Sequence, residues 1–348
     1  MDNEVLRILD VNVNRTREAL RVVEDYARFV LDDADAAATV KHCRHQLADL
    51  VVAVGASELL AARDIVNDVG RDLKTPTELR RASIEDVVRA AFARLTESTR
   101  VLGEYAKIVS QPAASAAEHL RYRIYEFEQR VVLRGQLRRR FRAVRLYVLL
   151  TAQLCRRPWL EAAEAAIVGG AGCLQLREKG LPDAELLARA RQLRELTRRH
   201  GVLLAVNDRP DIARLAGADI VHVGQDDLSV RDARRIAGPA ILVGKSTHTV
   251  AQFQAALAEE PDYLAIGPMF PSVTKPQQHI AGPQTLASVR PQTDLPLVAI
   301  GGISAENIDK VIAAGADCVA ICAGVIGAPD VTAAARALSQ WQPHRASA

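Results

Sequence analysis

The sequence predicts an α/β protein in two parts, an all-helical bundle over residues 1–140 and a C-terminal (β/α)8 barrel of the TIM type over residues 145–340. Three observations carry this. In the first half, apolar residues fall at Leu6, Leu9, Val13, Leu20, Val23, Ala27 and Val30, spaced by threes, fours and one seven, which is the period of a helix and not of a strand. Beyond Arg145, short apolar runs alternate with helical stretches about 20 to 30 residues apart, as repeated βα units do. Three of those runs follow a Gly/Ala pair (Ala171-Gly172, Gly217-Ala218, Gly315-Ala316), where a helix ends and a buried strand starts.

In order along the chain, the stripe from Leu6 to Val30 is one long helix. Asp32 or Asp33 caps a second that runs to about Val54. Ser83 with Asp86, and Ser115 with Glu118, have the spacing of capping boxes and open two more. The bundle also repeats itself: Ala19–Val30 aligns with Ser98–Val109 at an offset of 79, matching Arg21 with Arg100, Val22 with Val101, Tyr26 with Tyr105 and Ala27 with Ala106. This suggests a duplicated helical hairpin about a pseudo-twofold axis. Between the copies, Arg63 to Lys74 is dense in charge, contains Gly70 and reads as a loop. Residues 121–145 hold nine arginines, read as a solvated helix face followed by a linker, although no Gly/Ser/Pro-rich stretch separates them from the first strand.

The eight strand candidates are Leu146 to Leu150, Cys173 to Arg177, Val202 to Val206, Asp219 to Val223, Ala240 to Val243, Asp262 to Ile266, Pro296 to Ile300 and Asp317 to Cys322. One closed barrel accommodates them; a doubly wound sheet is the alternative. Composition narrows the function. Lys plus Arg exceed Asp plus Glu by three and aromatics are 4%, a poor inventory for binding nucleic acid. No apolar run approaches a membrane span, and the first residues carry Asp2, Glu4, Arg7 and Asp10 where a secretory core would lie, so the chain is expected in the cytoplasm and away from membranes. Five scattered cysteines encourage neither a disulfide framework nor zinc. A homo-oligomer stays open.

In such a barrel the chemistry belongs at the C-terminal ends of the strands. After strand 2, alternation puts Gln175, Arg177 and Lys179 on one side, opposite Leu176. Strand 3 ends Asn207-Asp208, strand 4 runs His222 to Asp227 and strand 5 leads into Lys245-Ser246. The connection after strand 6 holds Ser272, Thr274 and Lys275 in a proline-rich stretch long enough for a closing lid, and strand 7 ends Gly301-Gly302. The chain has 38 arginines and seven lysines, yet Lys179, Lys245 and Lys275 all follow strands, a placement that suits phosphate oxygens. Asp208 and Asp227, on adjacent strands, could share a Mg²⁺ completed by water and substrate phosphates. The competing reading makes each a helix cap. Gly302 and the Ala323-Gly324 turn match a barrel's backbone cradle for a phosphate. Residues alone therefore point to a Mg²⁺-dependent enzyme binding two phosphorylated groups, with no general base beyond His222.

Taken in order, QLREK, ND, HVGQDD, GKSTH, GPMFPSVTK and AIGGI resemble the thiamine-phosphate synthase family across about residues 145 to 335. The resemblance implies a transferase that joins 4-amino-2-methyl-5-(diphosphooxymethyl)pyrimidine to 4-methyl-5-(2-phosphooxyethyl)thiazole, by dissociative loss of pyrophosphate. It implies that Gln175 and His222 meet the pyrimidine, that Arg177, Lys179 and Lys275 meet the diphosphate, and that Asn207, Asp208 and Asp227 surround the metal, the two aspartates as ligands. Ser246 falls near the bond being broken, and Ser272, Thr274, Gly302 and the Ala323 loop near the thiazole phosphate; Arg177, Ser246 and Lys275 are the residues implied to carry catalysis. The chain departs from the family pattern at Ser272 (commonly threonine), Ala323 (usually serine) and Thr151-Ala152 (a hydroxyl followed by aspartate). The helical half is similar to the domain fused ahead of this synthase in some bacteria, through LRILDVNVNRTREALRVVEDYARFVL and RYRIYEFE, and a structural, oligomerising or regulatory role is expected of it. The rival readings are a thiazole tautomerase of the same superfamily and a non-catalytic thiamine-phosphate sensor.

Overall fold

The computed structural model of the chain describes residues 2–31, 33–69, 80–271 and 280–342. It divides into two compact units, Met1–Gly135 and Gln136–Ala348.

The first unit is helical: α1 (Asn3–Phe29), α2 (Ala34–Val54), the short α3 (Ala56–Ala61), α4 (Ile84–Val109) and α5 (Gln111–Arg142), whose last two turns belong to the second unit. Three helices open on an acceptor side chain that satisfies an otherwise unpaired N–H: Asp2 for α1, Asp33 for α2 (from Ala36 N, 2.8 Å) and Ser83 for α4 (from Asp86 N, 3.2 Å). The expected cap at Ser115 is not formed. That serine lies inside α5, which starts four residues earlier because Pro112 fits the first turn and Ser110 Oγ accepts from Ala113 N at 3.3 Å. The two copies of the repeat lie on α1 and α4, which pack along each other with matching interiors: Val23 and Leu102, and Ala27 and Ala106, are all fully buried. The charged segment after α3 is a loop as far as residue 69, tied down by the Arg63 guanidinium on both oxygens of Asp10 (2.7 Å each); its continuation through Gly70 and Lys74 lies outside the described residues.

The second unit is a closed barrel of parallel strands paired in sequence order, which excludes the doubly wound alternative. Its strands are β1 (Leu146–Leu150), β2 (Cys173–Leu176), β3 (Leu203–Asn207), β4 (Ile220–Val223), β5 (Leu242–Thr247), β6 (Tyr263–Ile266), β7 (Leu297–Ile300) and β8 (Cys318–Ile321). Between and after them run α6 (Trp159–Val168), α7 (Asp183–His200), α8 (Pro210–Ala216), α9 (Val230–Ala237), α10 (Val250–Ala258), α11 (Gly282–Val289), α12 (Ile308–Ala313), α13 (Ala323–Ile326) and α14 (Val331–Ser339). Alternate strand residues divide between two cores. Leu174, Val206, Val221 and Val243 pack outward against the helices, whereas Tyr147, Cys173, Ala205, Leu242 and Tyr263 fill the barrel.

Two features here were not legible beforehand. The first is the end of α5. The Phe141 ring enters the barrel's inner cluster, 4.3 Å from the ring of Tyr263, Arg138 Nε meets Asp262 Oδ1 at 2.8 Å, and Arg140 reaches Gly201 O at 3.1 Å. The last two turns are thus not a linker, because Arg138, Arg140 and Phe141 make contacts with the barrel, although Arg139, Arg140 and Arg142 are exposed as expected; earlier in the segment Arg121 and Arg134 pair with Glu118 and Asp33 of the helical unit. The second is a device repeated three times. Asp219, Asp262 and Asp317 each precede a strand, each is buried, and each accepts a backbone N–H from the first or second residue of the neighbouring strand, from Leu204, Val243 and Leu297 at 2.8–2.9 Å. Arginines neutralise them: Arg194 on Asp219, Arg138 and Arg234 on Asp262, and Arg290 on Asp317.

These contacts bear on where the barrel can be cut. A fragment starting at Arg139 loses Leu137 and Arg138, so a fragment of residues 136–348 is expected to fold more stably and to turn over substrate like the full chain, since every motif residue lies within it. Thermal unfolding and turnover of both fragments beside the full chain check this; a well-folded, catalytically dead 136–348 fragment overturns it.

Candidate active site

The motif residues converge where β2, β3, β4 and β5 end. β2 presents Gln175 to the interior, fully paired with β1 and β3 through its backbone, and the chain continues to Arg177, whose N–H donates to Leu150 O (2.8 Å) and whose carbonyl accepts from Thr151 Oγ1 (2.8 Å). The Glu178 side chain is largely covered and anchors the same corner, accepting from Ala152 N at 2.8 Å and Arg189 at 3.0 Å. Thr151-Ala152, which departs from the family pattern, therefore holds the Arg177–Lys179 segment in place.

Asp208 follows β3 with φ 61, a left-handed conformation that aspartate tolerates better than most side chains and that concentrates at functional sites. Its N–H donates to His222 O at 2.8 Å, which fastens β3 to β4 where Asn207 and His222 pair. It is not a helix cap: α8 begins after Arg209 with no side-chain cap, and Arg209 is occupied by Asp183 and Asp211. Asp227 does not cap α9 either, because Ser229 does so, and its Oδ2 accepts from Gly224 N at 2.7 Å. The two carboxyls lie close enough to act on each other electrostatically. Burial, and then the neighbouring Asp227 carboxyl, push Asp208 up to about 6, against the opposing pull of Lys179 (Nζ 4.0 Å from Oδ2) and Arg177. A divalent cation would relieve that repulsion, so the donor set suits one. Two carboxylates completed by water and substrate phosphate oxygens are a donor set of the kind Mg²⁺ takes; among the described residues no group of three or more His, Cys, Asp or Glu side chains is placed to hold a metal ion.

Deeper in the barrel a continuous chain of side chains runs beneath this corner. Gln175 Nε2 donates to Tyr147 Oη (2.8 Å), Tyr147 Oη lies 3.3 Å from Tyr263 Oη, Tyr263 Oη lies 2.8 Å from His222 Nδ1, and His222 Nε2 lies 2.8 Å from Ser246 Oγ. Gln225, the third residue after His222, donates from Nε2 to Ser246 O at 2.6 Å. Burial drives His222 down to about 4, so its ring is neutral at physiological pH, and burial pushes both phenols well above their usual range. The two tyrosines and Gln225 were missed in the sequence. Gln225 sits inside a motif and could have been found, whereas strand tyrosines look like any core residue.

Lys245 corrects the lysine argument. β5 extends to Thr247, so Lys245 falls on the outward parity beside Val243 and pairs, almost fully buried, with Glu259 Oε1 at 2.5 Å; it does not face the mouth. Ser246, one residue on, faces inward. On the opposite side, Gly302 follows β7 at φ 69, and a Cβ there would lie 2.4 Å from Phe270 O and 2.6 Å from Pro271 O, so only glycine lets the two loops touch. Its carbonyl accepts from Asn307 Nδ2 at 2.9 Å. Ser272, Thr274, Lys275 and the middle of the expected lid lie outside the described residues.

Comparison with known proteins gives the family. The model of a family described as thiamine monophosphate synthase matches residues 146–325, and that of the ThiD2 family matches residues 7–130. Thiamine-phosphate synthase of Gloeobacter violaceus is 42% identical over 326 residues, covering 94% of this chain and 93% of that protein. Its counterpart in Thermosynechococcus vestitus is 41% identical over 343 residues, covering 97% and 96%. Among solved structures, thiamine phosphate pyrophosphorylase from Pyrococcus furiosus superposes with a TM-score of 0.53 at 33% identity, over 57% of this chain and 95% of that one. With relatives matched along both units and the strand-end residues in the order the barrel requires, the chain belongs to the thiamine-phosphate synthase family.

Proposed function

We propose that the barrel joins the pyrimidine diphosphate to the thiazole phosphate at the β2–β5 corner, releasing pyrophosphate and forming thiamine phosphate. The observation that carries this reading is the pair of adjacent carboxyls, Asp208 and Asp227, with Arg177 and Lys179 beside them. A thiazole tautomerase would have no use for a metal-diphosphate corner, and a non-catalytic sensor would have no use for a preorganised one.

In the reaction, the bond between the pyrimidine methylene and the diphosphate oxygen breaks with its electron pair going to the diphosphate. The aminopyrimidine ring stabilises the methylene cation, and the lone pair of the thiazole nitrogen forms the new C–N bond. Negative charge grows on the departing diphosphate, where preorganised cations lower the barrier most. Arg177 and Lys179 supply such charge from the protein, on a backbone held by Leu150 and Thr151. Asp208 and Asp227 would hold Mg²⁺, which when bound neutralises diphosphate oxygens. Gln175 and neutral His222 line the pyrimidine side, Asn207 borders the metal corner, Ser246 lies by the breaking bond, and the backbone around Gly302 receives the thiazole phosphate. Because the thiazole nitrogen is uncharged and carries no proton, no general base is needed. Five free thiols suit the reducing cytoplasm, and among the described residues no helix is long and apolar enough to cross a membrane.

The test is direct: the full chain, both substrates and Mg²⁺, with pyrophosphate and thiamine phosphate both measured. Equal amounts of the two products are expected, and no product with a folded protein would refute the reading.

A further inference from the structure

We propose that Tyr263 is a positioning residue for the reaction at Ser246: its hydroxyl donates to Nδ1 of His222 and holds the imidazole as the Nε2–H tautomer, so that the ring donates to Ser246 and the serine turns its own proton toward the substrate. The inference rests on the reading that Ser246 borders the breaking bond.

The direction of donation follows from the far end of the chain. Gln175 Nε2 donates to Tyr147 Oη at 2.8 Å, so the Tyr147 proton is available to Tyr263 Oη at 3.3 Å, and the Tyr263 proton to His222 Nδ1 at 2.8 Å. A neutral imidazole has one donor and one acceptor nitrogen, so a ring that accepts at Nδ1 donates at Nε2, which lies 2.8 Å from Ser246 Oγ. Once its lone pair is engaged by the ring, Ser246 can serve the departing diphosphate as a donor. A serine that instead gave its proton to Nε2 could offer only an acceptor to an anion.

The barrel is built around the position of this phenol. Tyr263 is the first residue of β6 and is fully buried. Opposite it on β5 stands Gly244, where a Cβ would fall 2.0 Å from a Tyr263 ring carbon, so glycine is what lets the ring lie across the interior. Two rings flank it, Phe141 at 4.3 Å and His222, stacked at 5.5 Å and 25°. Packing alone would be served equally by phenylalanine. The hydroxyl is the part that packing does not explain, and it is the part that contacts His222.

The experiment compares the full-length protein with its Tyr263→Phe variant, which keeps the ring and deletes the hydroxyl. Nitrogen-15 NMR of histidine-labelled protein reports which imidazole nitrogen carries the proton, with His222→Gln identifying the His222 signals, and steady-state kinetics are run in parallel. In the unsubstituted protein, Nδ1 is expected to be unprotonated and Nε2 protonated. In Tyr263→Phe, the His222 signals should move toward the other tautomer and kcat should fall about tenfold or more, the worth of one buried hydrogen bond, with KM for both substrates little changed. An Nδ1–H tautomer in the unsubstituted protein overturns the proposal whatever the variant does, so a variant that fails to fold does not protect it. Unchanged kcat in a folded Tyr263→Phe protein overturns it as well. If the unsubstituted protein makes no thiamine phosphate, the functional reading fails and the proposal with it, while the spectrum still reports the tautomer by itself.

Discussion

Asp208→Ala or Asp227→Ala is expected to cut turnover on the order of 10²–10³-fold, the usual effect of removing one element of preorganised charge stabilisation, while the barrel stays folded. Neither carboxylate caps a helix, so neither deletion opens a helix end. The same pair predicts a pH dependence. A metal ligand must be deprotonated, and in the metal-free protein the Asp208 carboxyl is raised to about 6. Above that pH the group is ionised and ready to bind; below it, bound protons compete with Mg²⁺, so apparent Mg²⁺ affinity should weaken about tenfold per pH unit. In Asp227→Ala the neighbouring carboxyl is gone while the burial of Asp208 remains, so Asp208 moves part of the way back toward the ordinary carboxylate range and the pH dependence of the remaining weaker affinity should shift to lower pH. Calorimetric Mg²⁺ titration across this range gives the answer. Flat affinity in the unsubstituted protein, or turnover in either variant matching it, would remove these residues from the metal site.

The largest effect on stability is expected at the other end of the barrel. Asp262 has a fully buried side chain that accepts from Val243 N at 2.8 Å and pairs with Arg138 at 2.8 Å and Arg234 at 3.3 Å. Breaking a buried ion pair by deleting one partner typically costs about 3–5 kcal/mol, because the remaining charge keeps its desolvation penalty. Asp262→Ala should therefore lower the free energy of barrel unfolding by about that amount, read from urea unfolding. Asp262→Asn, which still accepts from Val243, should lose less. Residual turnover measured well below the unfolding temperature should stay close to normal, since Asp262 immediately precedes β6 and the reacting groups lie at the C-terminal strand ends. A loss under about 1 kcal/mol in Asp262→Ala would mean that the pair is no stronger than a surface ion pair.

Much of the barrel was legible because its signals are local. Each of the eight apolar runs became a strand, with ends displaced by a residue or so except at β5, and the pairing order followed sequence order as short right-handed βα connections require. The Asp208/Asp227 pair was also legible, since short motifs at successive strand ends must come together once the barrel closes. The failures came where a local signal lost to a longer-range one. Ser115 had capping-box spacing, but Pro112 and Ser110 had already started the helix. Lys245 follows the expected strand end, yet β5 ran four residues past Val243, and parity turned the lysine outward to Glu259. The run Arg138 to Arg142 looked solvated because no acidic residue lies within a few positions of it in sequence; Asp262, the partner of Arg138, is 124 residues away.

By itself, then, the sequence determined what repeats or neighbours within a few residues: helix and strand periods, the caps at Asp33 and Ser83, the order of the motifs and the residue types available at the mouth. Only the tertiary structure decided which face of each strand looks inward and which polar group meets which. The links Gln175–Tyr147, Tyr147–Tyr263, Tyr263–His222 and His222–Ser246 span 28, 116, 41 and 24 residues of chain. No periodicity reaches that far. Such contacts exist because barrel closure packs inward side chains from several strands into one dry interior, where each buried hydroxyl and imidazole has to find its partner among whatever the other strands present.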